Sequence, residues 1–474
     1  MKYEEIIQRL ENLRETPPVD VSNSVIEPAI QEFYKRYPKS LAMFEEMKKY
    51  IPGGIEHMNS IQYPFPIVIN KAQGPYLFDL NGNKFIDYLM TSGPCILGHN
   101  YPEVRDYVIE VLRENGPATG VMCEYELLAA KKICEHMENV SKVRFYQSGS
   151  EANMAMARIA RLYTDKKKII KVEGSYHGWA DQFVTGLHLP GTGPMFAHGI
   201  PPEHYSNTVG VMPNDIEGIK KAISDNKDKG GTAAIVLEAC GGDSGTFPPA
   251  PGYLEEVREI CTENDVLLVF DEVVTGFRLS MGGAQEYYGI DADISVLGKI
   301  VGHEYPSAGA VGARDDIMQM ILGKGGNNSE IGQKVFTAGT MAGTNLTSAA
   351  AYKAIECIEK TNTIEIAGKV ADELSKGLNK IFADYKLPFF TYNFKSIIQL
   401  RMSGFYTVDL TKPNAIKEVL QRRENAAKYQ ILEALEGINT LQSIRMYTSL
   451  MHNDNKLIND TLVGFERICQ KLSK

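Results

Sequence analysis

The chain has 474 residues, of which 43% are hydrophobic and 23% are charged. This is the composition of a folded globular protein, and it excludes a disordered or fibrous chain. The formal net charge of −9 argues against a general nucleic-acid-binding protein. The seven cysteines include no C-x-x-C pair and the nine histidines are dispersed, so we expect neither a disulfide framework nor a metal site.

The length predicts one large domain with smaller additions. The first segment, MKYEEIIQRLENLRE, is charged and helix-like, and no run reaches the ~18 apolar residues that a membrane span needs. We therefore expect a cytoplasmic protein without a membrane partner.

Residues 1–95 are predicted to form an N-terminal arm and the meander of a small domain. Two helix-like patterns lie on either side of a break at 19–28, and IPGG at 51–54 predicts a turn. From 66 to 90, apolar residues alternate with polar ones and are interrupted by Gly-Pro and Asn-Gly. This pattern is typical of a small antiparallel meander.

Residues 96–350 are predicted to form a large domain with a mainly parallel sheet. Short β-rich runs alternate with amphipathic segments, and this alternation favours an α/β fold with helices flanking the sheet. The predicted strands are 167–172, 233–239, 266–272 and 294–299, and the helices between them include 216–225 and 253–264.

Residues 351–474 are predicted to form a smaller α+β domain together with the N-terminal part of the chain. The pattern indicates helices over 346–361, then to about 381, 414–427 and 456–472, with a strand pair near 388–403.

Small and polar residues begin a strong helix pattern at Ser148, Gly149 and Ser150. A helix start of this kind presents free N–H groups, and together with the helix dipole they favour an anion such as phosphate. The alternative is an ordinary helix cap without a ligand. The G-x-G-x-x-G and G-x-x-x-x-G-K-[ST] patterns are both missing from the sequence, which argues against dinucleotide and P-loop sites.

Three further polar or aromatic positions follow predicted strands. Tyr176, beside His177, follows 167–172 and could stack on a flat ring, although it could equally be covered by a loop. Glu238 and Asp271 end the next two strands, and a carboxylate in such a place needs a partner. Asp271 could pair with a protonated pyridine nitrogen, and the alternative for either acid is a loop cap.

Lys299 ends the apolar run SVLGK, at the edge where α/β proteins build their active sites. A lysine there can form a Schiff base with an aldehyde cofactor, although most lysines are solvated surface charges. A phosphate cradle, a stacking aromatic, a partner for pyridinium and a Schiff-base lysine together are what pyridoxal 5′-phosphate (PLP) requires. We therefore expect a PLP site in the large domain.

Five segments resemble the fold-type I, class III aminotransferases, which depend on PLP. The resemblance is closest to the glutamate-1-semialdehyde 2,1-aminomutases, extends over about residues 40–360, and is more specific for fold and cofactor than for substrate. The segments are QSGSEANMAMARIARLYT, EGSYHGWAD, FPPAPGYLEEVREICTENDVLLVFDEVVTGFR, GGAQEYYGIDADISVLGKIVG and AGTMAGTN.

The resemblance implies a role for each matching residue. Lys299 would form the Schiff base with PLP and move a proton between the substrate and the cofactor. Asp271 would pair with the pyridine nitrogen, and Val273 would contact the back of the ring. Tyr176 would stack on the front of the ring, and we count His177 beside it among the cofactor-binding candidates.

The remaining cofactor contacts are implied in the same way. Ser148, Gly149 and Ser150 would hold the phosphate, and Glu238 would lie near the cofactor, although the proline that usually follows it is Ala239 here. Gly339 and Thr340 match a loop that reaches the phosphate of the neighbouring subunit. The resemblance therefore implies a homodimer with shared active sites.

The chain departs from the aminomutase pattern where the substrate would bind. Ser92 replaces a bulky tryptophan, which predicts a roomier or more polar pocket. The arginine expected soon after IPGG is absent, and His57 and Ser60 lie nearby. Arg401 and Arg445 are candidates for binding a substrate carboxylate through a bidentate fork. Their alternatives are a surface or structural ion pair.

We interpret the chain as a PLP-dependent aminotransferase that moves an amino group between an amino acid or amine and a 2-oxo acid. The alternative is an isomerase on the same scaffold, either a glutamate-1-semialdehyde-type 2,1-aminomutase or an amino-acid epimerase. A binding or regulatory module without catalysis is disfavoured because Lys299 and Asp271 are both present.

Overall fold

The computed structural model describes residues 1–57, 59–323 and 334–473. Two compact units are formed: residues 1–101 together with 362–474, called unit 1, and residues 102–361, called unit 2. The domain limits at 95/96 and 350/351 stay a prediction from the sequence. Within the described residues, no helix is both long enough and apolar enough to cross a membrane.

The strands are short, as is usual for globular proteins. In chain order they are β1 (Ile69–Gln73), β2 (Tyr76–Asp79), β3 (Lys84–Asp87), β4 (Lys142–Tyr146), β5 (Lys168–Val172), β6 (Thr208–Val211), β7 (Thr232–Leu237), β8 (Leu267–Asp271), β9 (Ile294–Gly298), β10 (Gly309–Ala313), β11 (Phe390–Phe394), β12 (Ile397–Arg401), β13 (Ile438–Asn439) and β14 (Arg445–Tyr447).

The helices range from a single turn to about six turns. In chain order they are α1 (Tyr3–Glu15), α2 (Asn23–Arg36), α3 (Pro38–Met47), α4 (Pro102–Asn115), α5 (Glu124–His136), α6 (Gly149–Thr164), α7 (Pro202–Tyr205), α8 (Ile216–Asn226), α9 (Tyr253–Glu263), α10 (Gly283–Tyr288), α11 (Asp315–Met318), α12 (Asn345–Lys360), α13 (Thr363–Asp384), α14 (Ala415–Leu435) and α15 (Asn455–Leu472).

Unit 2 is built on a seven-stranded sheet in the order β4-β10-β9-β8-β7-β5-β6. β10 runs antiparallel to both of its neighbours, β4 and β9, and the other pairs are parallel. β7, β8 and β9 are buried along their whole length, because helices cover both faces of the sheet. The predicted α/β fold with a mainly parallel sheet is confirmed.

The four strands predicted for this sheet correspond to β5, β7, β8 and β9, and β4, β6 and β10 were missed. β10 reads GAVGA, and its glycines and alanines carry little strand signal. β4 alternates between exposed and partly buried residues, and β6 has four residues with a glycine among them. These strands follow from pairing with neighbours, which local sequence does not report.

Unit 1 contains two smaller sheets. The predicted meander is present as antiparallel β1, β2 and β3, and β13 joins it in parallel to β3. The second sheet is antiparallel in the order β11-β12-β14, and β14 was not predicted. Side chains of α2, α13, α14 and α15 share one apolar core with these sheets.

The N-terminal segment contains three helices rather than the two expected. α2 begins at Asn23, inside the predicted break, and contains Pro28. The actual boundary between α2 and α3 is at Tyr37, whose backbone leaves the helical region because a proline follows. Pro38 then occupies the first helical position of α3, where its missing N–H costs nothing.

Candidate active site

The predicted cofactor residues of unit 2 meet at one edge of its sheet. Parallel strands end at the same edge, and Gly309 at the start of β10 pairs with both Tyr146 and Gly298, so the ends of β4 and β9 lie there too. The residues that follow or end strands at this edge are Ser148 after β4, Tyr176 after β5, Glu238 after β7, Asp271 in β8 and Lys299 after β9.

Asp271 is 3% exposed, and its carboxylate is held by three donors from three parts of the chain. Asn153 Nδ2 in α6 and His177 Nδ1 donate to Oδ2 at 2.9 and 2.8 Å. The backbone N–H of Val273 donates to Oδ1 at 3.0 Å. Each carboxylate oxygen can accept two hydrogen bonds, so these three donors leave one acceptor direction on Oδ1.

His177 is buried and belongs to this carboxylate network. Its Nδ1 donates to Asp271, because a carboxylate can only accept, and its Nε2 lies 2.9 Å from the hydroxyl of Ser175. Burial lowers the pKa of His177, with the Asp271 carboxylate acting in the opposite direction. The hydrogen bond from His177 therefore helps to fix the orientation of the Asp271 carboxylate.

Side chains at the start of α6 accept hydrogen bonds from nearby backbone N–H groups. Ser148 is the N-cap, and its hydroxyl accepts a hydrogen bond from the N–H of Glu151 at 3.2 Å. The Glu151 carboxylate accepts from the N–H of Gln147, the residue before the N-cap, at 3.0 Å. The Ser148 hydroxyl therefore serves as a helix cap, as the alternative interpretation expected. The N–H groups of Gly149 and Ser150 lie in the first turn, where an anion can bind.

The Val273 side chain lies between two glycines of the candidate site. A Cβ atom built on Gly149 would lie 2.9 Å from Val273 Cγ2, and one on Gly298 would lie 3.0 Å from Val273 Cγ1. Both distances are shorter than carbon atoms tolerate. The glycines thus allow Val273 to contact the start of α6 and the residue that precedes Lys299.

Lys299 begins a 3₁₀ turn that follows β9 directly. Its φ is +47°, in the left-handed region that non-glycine residues rarely adopt. The side chain is partly buried. Such backbone strain at a residue with a reactive side chain is typical of functional sites.

Tyr176 is 42% exposed, as expected for an aromatic residue that is open to a ligand. Its N–H donates to Glu238 Oε1 at 2.8 Å, so Glu238 holds the loop that carries the tyrosine. The His188 ring is stacked at 5.6 Å from the Tyr176 ring with an interplanar angle of 11°. His188 Nδ1 also lies 2.6 Å from an Asp243 oxygen.

Gly339 and Thr340 lie in a loop that precedes α12, and Thr340 is exposed. The neighbouring segment is 116–123, because Asn345 Nδ2 donates to Gly116 O at 3.1 Å and Cys123 Sγ lies 3.6 Å from Gly343 O. The loop is therefore at the surface of unit 2.

The four substrate candidates lie in unit 1. Ser92 belongs to a run of three non-glycine residues, 90–92, that all have positive φ. Its hydroxyl accepts a hydrogen bond from Asn59 Nδ2 at 2.9 Å, and His57 is exposed. A run of consecutive left-handed residues is unusual, because it costs roughly 1–2 kcal/mol per residue.

Arg401 and Arg445 are buried, with exposed fractions of 2% and 4%, so the surface interpretation of either is wrong. Arg445 pairs with Gln399 across β12 and β14, and Arg401 donates to Gln399 Oε1 at 2.6 Å. The two guanidinium groups therefore flank one glutamine on the same face of the sheet.

The sequence pattern did not predict that Asn153 contacts Asp271. Its amide donates to both Gly149 O and Asp271 Oδ2, and so ties the start of α6 to β8. The available signal was a polar residue on the buried face of an otherwise apolar helix, four residues after Gly149.

Residues 58–442 match the family described as aminotransferase class-III. The glutamate-1-semialdehyde 2,1-aminomutase of Methanothrix thermoacetophila is 38% identical over 432 residues, which cover 90% of this chain and 95% of the relative. The chain belongs to the class III aminotransferase family and is therefore an enzyme.

Solved structures share the fold. An ω-transaminase from Sphaerobacter thermophilus superposes with a TM-score of 0.81 at 24% identity, covering 93% of this chain and 99% of that one. A transaminase with PLP bound superposes with a TM-score of 0.79 at 21% identity, covering 92% and 98%. The predicted fold and the resemblance to the aminomutases are confirmed.

The close approach of β10 to Ser148 gives a stability prediction. A Cβ on Gly309 would lie 2.2 Å from Ser148 O, and one on Gly312 of the same strand would lie 2.6 Å from Val140 Cγ1. The backbone cannot move aside as a side chain can. We expect Gly312→Ala to cost about 1–3 kcal/mol of unfolding free energy and Gly309→Ala to cost more.

Thermal melts followed by circular dichroism check this order. A melting temperature that falls equally in both variants, or further in Gly312→Ala, would contradict it.

Proposed function

We propose that this enzyme binds PLP at the sheet edge of unit 2 and transfers an amino group between an amino acid or amine and a 2-oxo acid. The observation that carries the proposal is the buried Asp271 carboxylate, which keeps an acceptor direction on Oδ1 and lies on the strand next to that of Lys299.

The residues fit the cofactor. The first-turn N–H groups of Gly149 and Ser150 suit a phosphate. The Tyr176 ring is 42% exposed although His188 stacks on it, and a flat ring suits stacking on an aromatic residue. The remaining acceptor direction on Asp271 Oδ1 suits a protonated ring nitrogen. When bound, PLP would supply an aldehyde that reacts with amines and a ring that withdraws electrons.

The protein residues would divide the work among themselves. Asp271 would hold the proton on the ring nitrogen, with Asn153 and His177 fixing its carboxylate. Lys299 would move the proton at the reacting carbon, a contribution of about 10²–10⁴-fold for general base catalysis. Val273 would support one face of the ring and Tyr176 the other.

A 2,1-aminomutase is the second candidate. The relative at 38% identity carries that name, and its match extends over 90% of this chain. The departures at Ser92 and His57 favour a different substrate. Arg401 and Arg445, on one face of their sheet, would bind a carboxylate of that substrate through bidentate hydrogen bonds.

The first prediction concerns Lys299. We expect Lys299→Ala to abolish turnover and the yellow absorption that borohydride can reduce, because no other amine is assigned to the cofactor aldehyde. Lys168→Ala is the control, since Lys168 begins β5 at the opposite end and donates to Ser206 O. Full colour and activity in Lys299→Ala would refute the assignment.

The second prediction separates the two candidate reactions. A transaminase consumes one amino donor and then needs a 2-oxo acid acceptor, whereas an aminomutase or an epimerase turns over one substrate alone. We expect at least one donor from a panel of amino acids and amines to convert the bound cofactor to pyridoxamine phosphate. The cofactor should stay in that form until a 2-oxo acid acceptor is added. Turnover of one compound without acceptor would favour the isomerase.

We also propose that the enzyme works as a homodimer in which Gly339 and Thr340 approach the site of the partner subunit. The loop that carries Gly339 and Thr340 and the neighbouring segment 116–123 expose several large apolar side chains. Such a group is uncommon on the surface of a monomeric soluble protein. Their exposed fractions are 94% for Met122, 73% for Phe336, 63% for Val121 and 46% for Met341.

The third prediction tests this surface. We expect Met122→Asp to shift sedimentation from the mass of two chains towards that of one, because an interface core does not tolerate an unpaired charge. Leu420→Asp is the matched control, since Leu420 is 60% exposed on α14 in unit 1. An unchanged sedimentation coefficient for Met122→Asp would count against this interface.

A further inference from the structure

Lys171 is a buried lysine next to the end of β5, and the assigned chemistry does not use it. Its side chain is 1% exposed. Its Nζ donates to three backbone carbonyls, those of Ser175 at 3.2 Å, Phe183 at 3.4 Å and Thr185 at 2.8 Å. The three N–H groups of the ammonium are therefore all satisfied by the backbone.

These carbonyls belong to the two ends of one loop, residues 175–185. Ser175 lies at its start, and Phe183 and Thr185 lie at its end. Between them are Tyr176 and His177, the residues proposed to stack on the cofactor and to orient Asp271. A buried ammonium is stable only with such partners, so the lysine and the closed loop require each other.

Three carboxylates act on the pKa of the Lys171 ammonium. Burial lowers the pKa of Lys171 to about 8, while Glu173, which follows β5, and Glu238 and Asp243, which follow β7, act to raise it. His177 in the loop is itself affected by the charge of Lys171. Above about pH 8, Lys171 loses its charge and one of its three donors.

We propose that Lys171 is a positioning residue whose ammonium ties together the two ends of the 175–185 loop, and so holds Tyr176 and His177 in place. The tie itself is a property of the protein without its cofactor. The consequence for catalysis rests on the proposed function.

The fluorescence of Trp179 can report whether Lys171 holds the 175–185 loop in place. It is the single tryptophan of the chain, it lies within the 175–185 loop, and it is 77% exposed. Its fluorescence anisotropy therefore reports the motion of this loop alone. In the cofactor-free protein we expect Lys171→Met to lower the anisotropy, because methionine fills the space but donates no hydrogen bond.

Lys168→Met is the matched control on the same strand, since Lys168 donates to Ser206 O at 3.0 Å, outside the loop. It is expected to keep the anisotropy of the parent protein. Lys171→Arg keeps the charge and the donors, and is expected to recover part of the loss. Equal anisotropy in Lys171→Met and the parent would overturn the proposal.

A titration of the unmodified protein covers the case in which Lys171→Met does not fold. We expect the anisotropy to hold or to rise as the pH rises through about 8, because the pKa of Lys171 is lower in the closed loop than in an opened loop, where water would reach the amine. A fall in anisotropy through this region would also overturn the proposal.

The effect of Lys171 on the stability of the whole fold changes with pH in the same direction as its effect on the loop. The pKa of Lys171 is about 8 in the folded protein and lies below the 10.5 of a free lysine, so between these values the unfolded chain binds more protons. The contribution of Lys171 to the free energy of unfolding therefore rises with pH there. We therefore expect no contribution from Lys171 to any fall in melting temperature over this pH range.

The catalytic consequence is measured separately. We expect Lys171→Met to lower kcat by about 10²-fold, the effect of a misplaced contact at a reacting centre, and Lys168→Met to leave it unchanged. If the parent protein shows neither PLP absorption nor transamination, the proposed function fails, and the anisotropy alone still decides the role of Lys171.

Discussion

The constraint on which the candidate site depends is the burial of the Asp271 carboxylate. A charge removed from water is stable only if protein donors replace the lost hydration. Those donors come from α6 through Asn153, from the loop after β5 through His177, and from the turn after β8 through Val273. One carboxylate thereby ties together three elements that are far apart in the chain.

A second buried charge, the ammonium group of Lys171, holds the loop that carries Tyr176 and His177. Lys171 contacts the carbonyls at both ends of the 175–185 loop, and His177 near the start of that loop contacts Asp271. The loop that carries Tyr176 is thus fixed by an ammonium and a carboxylate that do not touch each other directly. Glycines at 149 and 298 allow the remaining close contact, that of Val273 with the start of α6 and the end of β9.

Much of the large unit could be predicted from the sequence. Runs such as VLLVF and ISVLG are apolar throughout, because a strand covered on both faces has no polar side, and this signal is local. The strands β4, β6 and β10 were missed for the opposite reason. Their short or glycine-rich sequences adopt the extended form only because neighbouring strands supply hydrogen-bond partners.

The sequence by itself determined the chemical types at the strand ends and the family to which they belong, because an acid, an aromatic and a lysine after apolar runs are visible one segment at a time. The tertiary structure decided how they cooperate: that His177 and Asn153 both donate to Asp271, that Ser148 caps a helix, and that Arg401 and Arg445 are buried. These contacts join residues separated by up to 118 positions, as between Asn153 and Asp271. Local patterns carry no information about distances of that kind, because the folding of the sheet sets them.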